Sequence, residues 1–421
     1  MNAYYESNFR SKRQHRMLYL AYQTHADLML PLRSWATAGM RVLGPWMNGN
    51  DAGSPLRRVA AAYELIARAT LTHARPSYGI DSVRIGNREV GVTEEPVDVT
   101  PFGTLLRFKK DVEMPQPRVL VVAPLSGHFA TLLRGLVKTM LPDHDVCITD
   151  WHNARDVSAA HGRFGFDEYI AHIIGWLEKL GPGAHVVAVC QPCVQVLAAA
   201  AVMAEARNPA KPRSMTLMAG PIDVRINPTQ VNELATSKPI EWFEKNLIAR
   251  VPARFPGAGR RVYPGFVQLT AFMSMNIERH RKAHLDLYDA LAKGEAAKAE
   301  TIKTFYDEYF AVLDLTAEFY LETVSIVFQE ALLAKGRLTY QGRPVDPKAI
   351  RRTALLTVEG ERDDICSIGQ TAAAHDLCTG LKPFMKRHHL QAGVGHYGVF
   401  SGRRWETQVY PNVRNMILAS E

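Results

Sequence analysis

The chain has 421 residues, 47% hydrophobic and 22% charged, with a formal net charge of +8. This is ordinary globular composition, long enough for one large α/β domain with an insertion or for two domains. The basic residues are scattered in small clusters such as Arg10-Ser11-Lys12-Arg13 and Arg351-Arg352, which excludes a nucleic-acid-binding arm. Five widely spread cysteines give no disulfide framework and point to a reducing cytosol. Met1–Glu6 lacks a basic-then-apolar leader, so no signal peptide is expected.

Residues 14–75 read as helical. Met17, Leu18, Leu20, Ala21, Leu28 and Leu30 form an apolar stripe that Pro31 is expected to interrupt, and a Gly/Asn loop follows Trp46. Ser54-Pro55 starts a second helix carrying Leu56, Val59, Ala60, Tyr63, Leu65 and Ile66. Residues 1–78 are thus expected to be a helical N-terminal extension packed on the main domain. Strands begin near Ile80. Ser82–Ile85 and Arg88–Val92 flank Gly86-Asn87, a hairpin signal. Thr104–Phe108 follows, then Arg118–Ala123, an apolar run suited to a central parallel strand. A helix from about Thr131, a strand at Asp145–Asp150 and a helix at Phe166–Leu180 continue the alternation. Ser214–Pro221 reads as the next strand after the Cys190 unit described below. Strands alternating with helices imply a mostly parallel sheet covered on both faces.

From about Asn227 to Lys335 helical periodicity takes over. Aromatic and methionine side chains are frequent there, among them Trp242, Phe272, Met273, Phe305, Tyr309 and Phe328. Strand–helix alternation resumes only at Thr353–Val358. Residues 227–335 are expected to form a helical cap inserted into a core made of 79–226 and 336–421. Most of its aromatic side chains must build its own core, and some are expected to line an apolar groove for an acyl substrate.

One stretch organises the rest: Ala184 to Leu197, running on into Ala198–Ala204. Val186–Val189 reads as a buried strand, and the alanine-rich continuation as a helix, with Pro192 suited to its first turn. Cys190 therefore stands at a strand-to-helix turn, at the positive end of a helix, where a thiolate is favoured. A nucleophile at such an elbow is usually framed by Gly-x-Ser-x-Gly. Here the five residues are Ala188-Val189-Cys190-Gln191-Pro192, with both glycines replaced. Three other readings of this stretch stand beside a nucleophile. They are a membrane span over the uncharged residues 186–204, a redox pair of Cys190 with Cys193, and an inert buried thiol.

A nucleophilic cysteine needs partners. After the strand at Leu355–Val358 comes Glu359-Gly360-Glu361-Arg362-Asp363-Asp364-Ile365, in which either Asp363 or Asp364 can orient a histidine; such a pair can equally cap a helix. His396 lies among Gly393, Gly395 and Gly398, able to approach a nucleophile on a tight loop. Nucleophile, acid, histidine is the order used by α/β-hydrolases. Oxyanion donors are expected from the Gln191 N–H and from Leu125 or Ser126 in Pro124-Leu125-Ser126-Gly127; the Ser126 hydroxyl can contribute too. His388-His389 lies in no metal-ligand spacing, so no metal site is expected.

Val122–Gly135, Ala188–Pro192, Gly220–Asp223, Thr357–Ile365 and Gly395–Gly402 together resemble the intracellular polyhydroxyalkanoate depolymerases that act on native polyhydroxybutyrate granules. The resemblance spans most of the chain. It implies an α/β-hydrolase fold, a Cys190–Asp363–His396 triad and granule association in the cytoplasm, with Asp363 preferred to Asp364 by similarity to the polyhydroxyalkanoate synthases. It further implies a polyester of 3-hydroxybutyrate as substrate, no bound cofactor, and water or coenzyme A as the acceptor of the acyl group. No nucleic acid and no transmembrane span are expected; homo-oligomerisation stays open. Cys193 departs from anything the resemblance explains. The alternatives are a synthase-like acyltransferase, which Ala188 and Pro192 disfavour, a Cys-x-x-Cys redox protein, and a non-catalytic granule coat.

Overall fold

Apolar, mostly β-branched runs form the middle of a nine-stranded sheet. The computed structural model describes residues 2–47, 54–275 and 277–421. Strands β1(Ser82–Ile85) and β2(Arg88–Val99) make the expected hairpin around Gly86-Asn87, with Ile85 paired to Arg88. β3(Gly103–Lys110), β4(Arg118–Val122), β5(Asp145–Trp151), β6(His185–Val189) and β7(Ser214–Met218) follow. β8(Ala249–Arg250), β9(Arg261–Tyr263) and β10(Leu315–Thr316) build a separate three-stranded sheet, and β11(Thr339–Tyr340) pairs with β12(Arg343–Pro344). β13(Ala354–Gly360) and β14(Lys386–Gln391) return to the main sheet, whose order is β1-β2-β3-β5-β4-β6-β7-β13-β14. From β5 to β14 neighbouring strands are parallel. Every residue of β6, β7 and β13 is buried, as a parallel strand covered on both faces requires.

The helices of the chain begin with α1(Asn2–Met47) and α2(Pro55–Arg68). Ser54 caps α2, its hydroxyl accepting from the Arg57 N–H at 3.3 Å, and Pro55 opens the first turn. α3(Arg134–Met140), preceded by a 3-10 turn at Ala130–Leu133, α4(Phe166–Leu180) and α5(Cys193–Glu205) alternate with the strands. Between β7 and β13 lie α6(Gln230–Thr236), α7(Ile240–Leu247), α8(Gly265–Met275), α9(Ile277–Lys293), α10(Ala296–Tyr309) and α11(Ala317–Thr323). This segment is therefore not purely helical: β8, β9 and β10 sit within it.

Two expectations for the N-terminal part need correction. Pro31 does not interrupt α1. The proline costs the bond its N–H would make to the Asp27 carbonyl, and packing of the second half of α1 on α2, Trp35 edge-on to Tyr63 at 4.8 Å, offsets it. The stripe is not a buried face either, since Leu20, Leu28 and Leu30 are 61%, 74% and 60% exposed. The side chains of Met17 and Leu18, and the Gly/Asn loop after Trp46, lie outside the described residues. Nor do α1 and α2 pack chiefly on the main sheet. Tyr19 is buried with Ala249, Val251, Val262 and Phe266, and Ala61 with Leu287, Ala290 and Leu291. The Tyr19 hydroxyl also donates to the Asp314 carboxylate at 2.7 Å. Among the described residues no helix is long and apolar enough to cross a membrane.

Candidate active site

Cys190 follows β6 directly, and its φ of 66° is left-handed, costing about 1–2 kcal/mol for a residue with a Cβ. The turn is held from both sides. The Cys190 N–H donates to the Met218 carbonyl at 2.7 Å, and the Cys190 carbonyl accepts from Cys193 N–H at 3.2 Å as α5 begins. The close packing normally supplied by the flanking glycines is supplied across the sheet. A Cβ on Gly220, just past β7, would fall 2.2 Å from Cys193 Sγ and 2.9 Å from the Cys190 carbonyl oxygen.

The loop after β4 faces this turn. Its start is pinned at Ala123, whose carbonyl accepts from Trp151 Nε1 at 2.9 Å and from the Tyr169 hydroxyl at 2.8 Å. Gly127 has φ 98°, and a Cβ there would meet Gln268 Cγ at 2.8 Å. The Gly127 carbonyl accepts from Leu313 N–H at 2.9 Å, and His128 Nε2–H donates to the Tyr309 carbonyl at 3.1 Å. Residues in α8, at the end of α10 and just after it thus hold the loop. Leu125 N–H, one of the two expected backbone donors, is bonded to Gln191 Oε1 at 3.3 Å. No described residue accepts the N–H of Gln191 or of Ser126.

The acid and the histidine come from the loops after β13 and β14. His396 Nδ1 lies 2.8 Å from Asp363 Oδ2, with Asp363 fully buried and His396 nearly so. Cys190 stands near enough to His396 to influence its charge. Burial alone would lower the His396 pKa. The Asp363 carboxylate with its hydrogen bond, and the neighbouring Cys190 sulfur, outweigh it and hold the His396 pKa well above its ordinary value. Asp364 is exposed. Of the two acids it is Asp363 that caps the backbone, its Oδ1 accepting from Ile365 N–H at 2.9 Å and Cys366 N–H at 2.8 Å. Turns follow, and the next helix is the short α12(Ala374–Leu377).

Those turns wrap around a residue whose role sequence reasoning missed. Glu359, at 0% exposure, accepts from the N–H groups of Gly369, Thr371 and Ala372 at 2.7–3.0 Å. The Thr371 hydroxyl in turn bonds both the N–H and the carbonyl of Gly220, tying the acid loop to the elbow's neighbour. The only hint in the sequence is a carboxylate inside an apolar strand. Glu359→Gln keeps one oxygen for three donors and turns an NH2 toward Gly369. It is expected to cost about 1–3 kcal/mol of stability, read as a lowered Tm with a matching loss of activity at elevated temperature.

The five cysteines are unpaired, and all but Cys190 are buried. Cys193 Sγ points into the core toward the Ala188 and Met218 carbonyls at 3.6 and 3.7 Å, and burial pushes its thiol well above the ordinary range. Cys193→Ala is expected to leave kcat within about twofold while removing one packed sulfur, about 1 kcal/mol. Thermal melts and turnover on one preparation check both. His388 Nδ1 lies 2.9 Å from the Thr357 hydroxyl, and no metal-ligating cluster exists among the described residues. Of the aromatic residues between β7 and β13, Phe272, Phe305 and Tyr309 reach the site. Phe305 lies edge-on to Tyr397 at 6.0 Å, next to His396, and Phe272 and Tyr309 pack on His128.

The strand order, with its β5-β4 exchange, and the elbow after β6 define an α/β-hydrolase. Residues 219–421 match the family described as PHB de-polymerase C-terminus. The matched part includes Asp363 and His396; Cys190 precedes it. None of the curated proteins matches the chain. Similar solved structures include a protein of Acinetobacter baumannii AYE described as a lipase, 13% identical, covering 78% of this chain and 93% of its own, TM-score 0.45. Another is the 2-hydroxy-6-oxo-6-phenylhexa-2,4-dienoate hydrolase of Rhodococcus sp. strain RHA1, 12% identical, covering 78% and 99%, TM-score 0.41. A third is an esterase of Thermogutta terrifontis, 11% identical, covering 80% and 97%, TM-score 0.39.

Proposed function

We propose that this protein cleaves the ester bonds of polyhydroxybutyrate in native cytoplasmic granules through a cysteine acyl-enzyme. One observation carries the reading: an Asp363–His396 pair at 2.8 Å placed beside the elbow cysteine, which acts on the charge of His396. That is the order of contacts a nucleophile, its base and the base's orienting acid must have. His396 holds the proton of the Cys190 thiol. The sulfur attacks an ester carbonyl carbon, and the carbonyl electron pair moves onto oxygen, where the N–H groups of Gln191 and Ser126 receive it, the Leu125 N–H being engaged by Gln191 Oε1. Collapse expels the alcohol end of the polymer, which takes the proton from His396. A 3-hydroxyacyl thioester remains on Cys190.

Water discharges that thioester to 3-hydroxybutyrate or its oligomers; coenzyme A, as co-substrate, would discharge it as a new thioester. A redox role for Cys190 with Cys193 is disfavoured by the burial of Cys193. The deciding experiment incubates the protein with native granules, with and without coenzyme A, and identifies the soluble products. Free 3-hydroxybutyrate in both arms supports hydrolysis, and an acyl-CoA appearing only with coenzyme A supports thiolysis. Polymer growth from 3-hydroxybutyryl-CoA would instead make the protein a synthase-like acyltransferase. Granule binding without any product would make it a coat.

A further inference from the structure

The Gln191 side chain has a place in this site that its backbone N–H does not account for. It is 8% exposed and spans from the elbow to the loop after β4. Only a carbonyl oxygen can face the Leu125 N–H, so the amide orientation is fixed by its partner: Oε1 toward Leu125 at 3.3 Å, Nε2 away from it. Nε2 is buried and has no partner. A buried NH2 left unmatched is costly, and native structures keep such a group where a ligand or water completes it. This amide is one residue from Cys190 and hydrogen-bonded to the loop that carries the other oxyanion donors.

We propose that the Gln191 carboxamide is a catalytic group, its Nε2–H donating to the substrate carbonyl oxygen as that oxygen gains charge. The inference rests on the acyl-enzyme reading above. When Cys190 Sγ bonds to the carbonyl carbon, the C=O π pair moves to oxygen. The Gln191 Nε2–H meets that charge alongside the backbone N–H groups, while Oε1 keeps the Leu125 segment in place. One side chain thus joins the nucleophile turn to the oxyanion loop.

Gln191→Glu, for which the neutral Gln191→Met is the control, keeps an oxygen for Leu125 and removes the NH2 while adding a charge. It is expected to lower kcat on a soluble 3-hydroxybutyrate oligomer by about 10²–10³, the loss typical of one oxyanion donor, with KM within about threefold. Alkylation of Cys190 by iodoacetamide forms no oxyanion and should proceed within about threefold of the wild-type rate. The ratio of variant to wild-type kcat should rise as pH falls, because the introduced carboxyl, once protonated, again offers a hydrogen. Gln191→Met should show the same kcat loss and the same unchanged alkylation, with no rise in that ratio. The proposal is overturned if kcat of Gln191→Glu stays within threefold, if kcat and alkylation fall together, or if the ratio is flat in pH. Cys190→Ala, assayed in parallel, separates the two levels. If it retains turnover, the acyl-enzyme reading itself fails; if it is inactive while Gln191→Glu is not, only the role of Gln191 does.

Discussion

Cys190→Ala is expected to lower turnover by at least about 10³ while the protein stays folded, because loss of a covalent nucleophile removes the reaction path rather than one interaction along it. The left-handed turn is held by backbone bonds to Met218 and Cys193, not by the thiol, so the substitution should not release it. A second signature follows from charge. Cys190 is one of the groups raising the pKa of His396 against the effect of burial. Removing it should shift the His396 titration downward, measurable by NMR of the imidazole. A raised histidine pKa contributes stability that is present below the unfolded-state value and is lost as pH climbs through the folded value. Cys190→Ala should shrink that contribution and move its loss to lower pH. Cys190→Ser should fold but turn over slowly, since a hydroxyl does not share the imidazolium as a thiol does. More than about a tenth of wild-type activity left in Cys190→Ala would end the case for this nucleophile.

Asp363→Asn is expected to be nearly as damaging, by about 10³–10⁴ in kcat, the scale found when a triad acid becomes an amide. Two donors, Ile365 N–H and Cys366 N–H, already claim Oδ1. The single oxygen of asparagine must take that side, so its NH2 faces His396 Nδ1. That nitrogen then has to accept, and the imidazole proton moves to Nε2, the position that must receive the thiol proton. Because the cap survives, unfolding free energy should change by less than about 1 kcal/mol. Asp363→Ala should lose both the rate and the cap. Asp364→Asn, at an exposed carboxylate, is the control and should keep its rate. If both asparagine variants stay within tenfold of wild type, the orienting acid lies elsewhere.

The parts of this molecule that could be read from its sequence are those where local pattern and burial agree. Val119–Val122, Val186–Val189 and Met215–Met218 are apolar runs because both faces of the sheet are covered there. β14 was not expected because Lys386-Arg387-His388-His389 is an edge strand with little to bury, so it lacks the apolar run. β8, β9 and β10 are two or three residues long, too short for any periodicity to register. That α1 and α2 pack on the segment after β7 is a tertiary choice invisible in their own stripes. At the site, Cys190, Asp363 and His396 could be singled out because each stands in a distinctive loop context. That Asp363 both meets His396 and accepts two backbone N–H groups could not be read, since the two roles look alike in an Asp-Asp pair. Glu359 could not either: its backbone donors lie ten to thirteen residues downstream in a fold that must exist first. The role proposed for the Gln191 side chain could not be read either, since its buried, unpartnered amide nitrogen is visible only in the folded structure.

The bonds from Leu313 N–H to the Gly127 carbonyl and from His128 to the Tyr309 carbonyl also bear on how such an enzyme can diversify. The segment between β7 and β13 is a buttress for the loop after β4, and Gln268 occupies the space that only glycine at 127 leaves free. A chimera that imports a foreign segment there inherits a mismatch at residues 127 and 128, however well the graft points join. The exchangeable unit for such a chimera is therefore discontinuous: residues 124–131 are expected to keep their conformation only when moved together with 265–314.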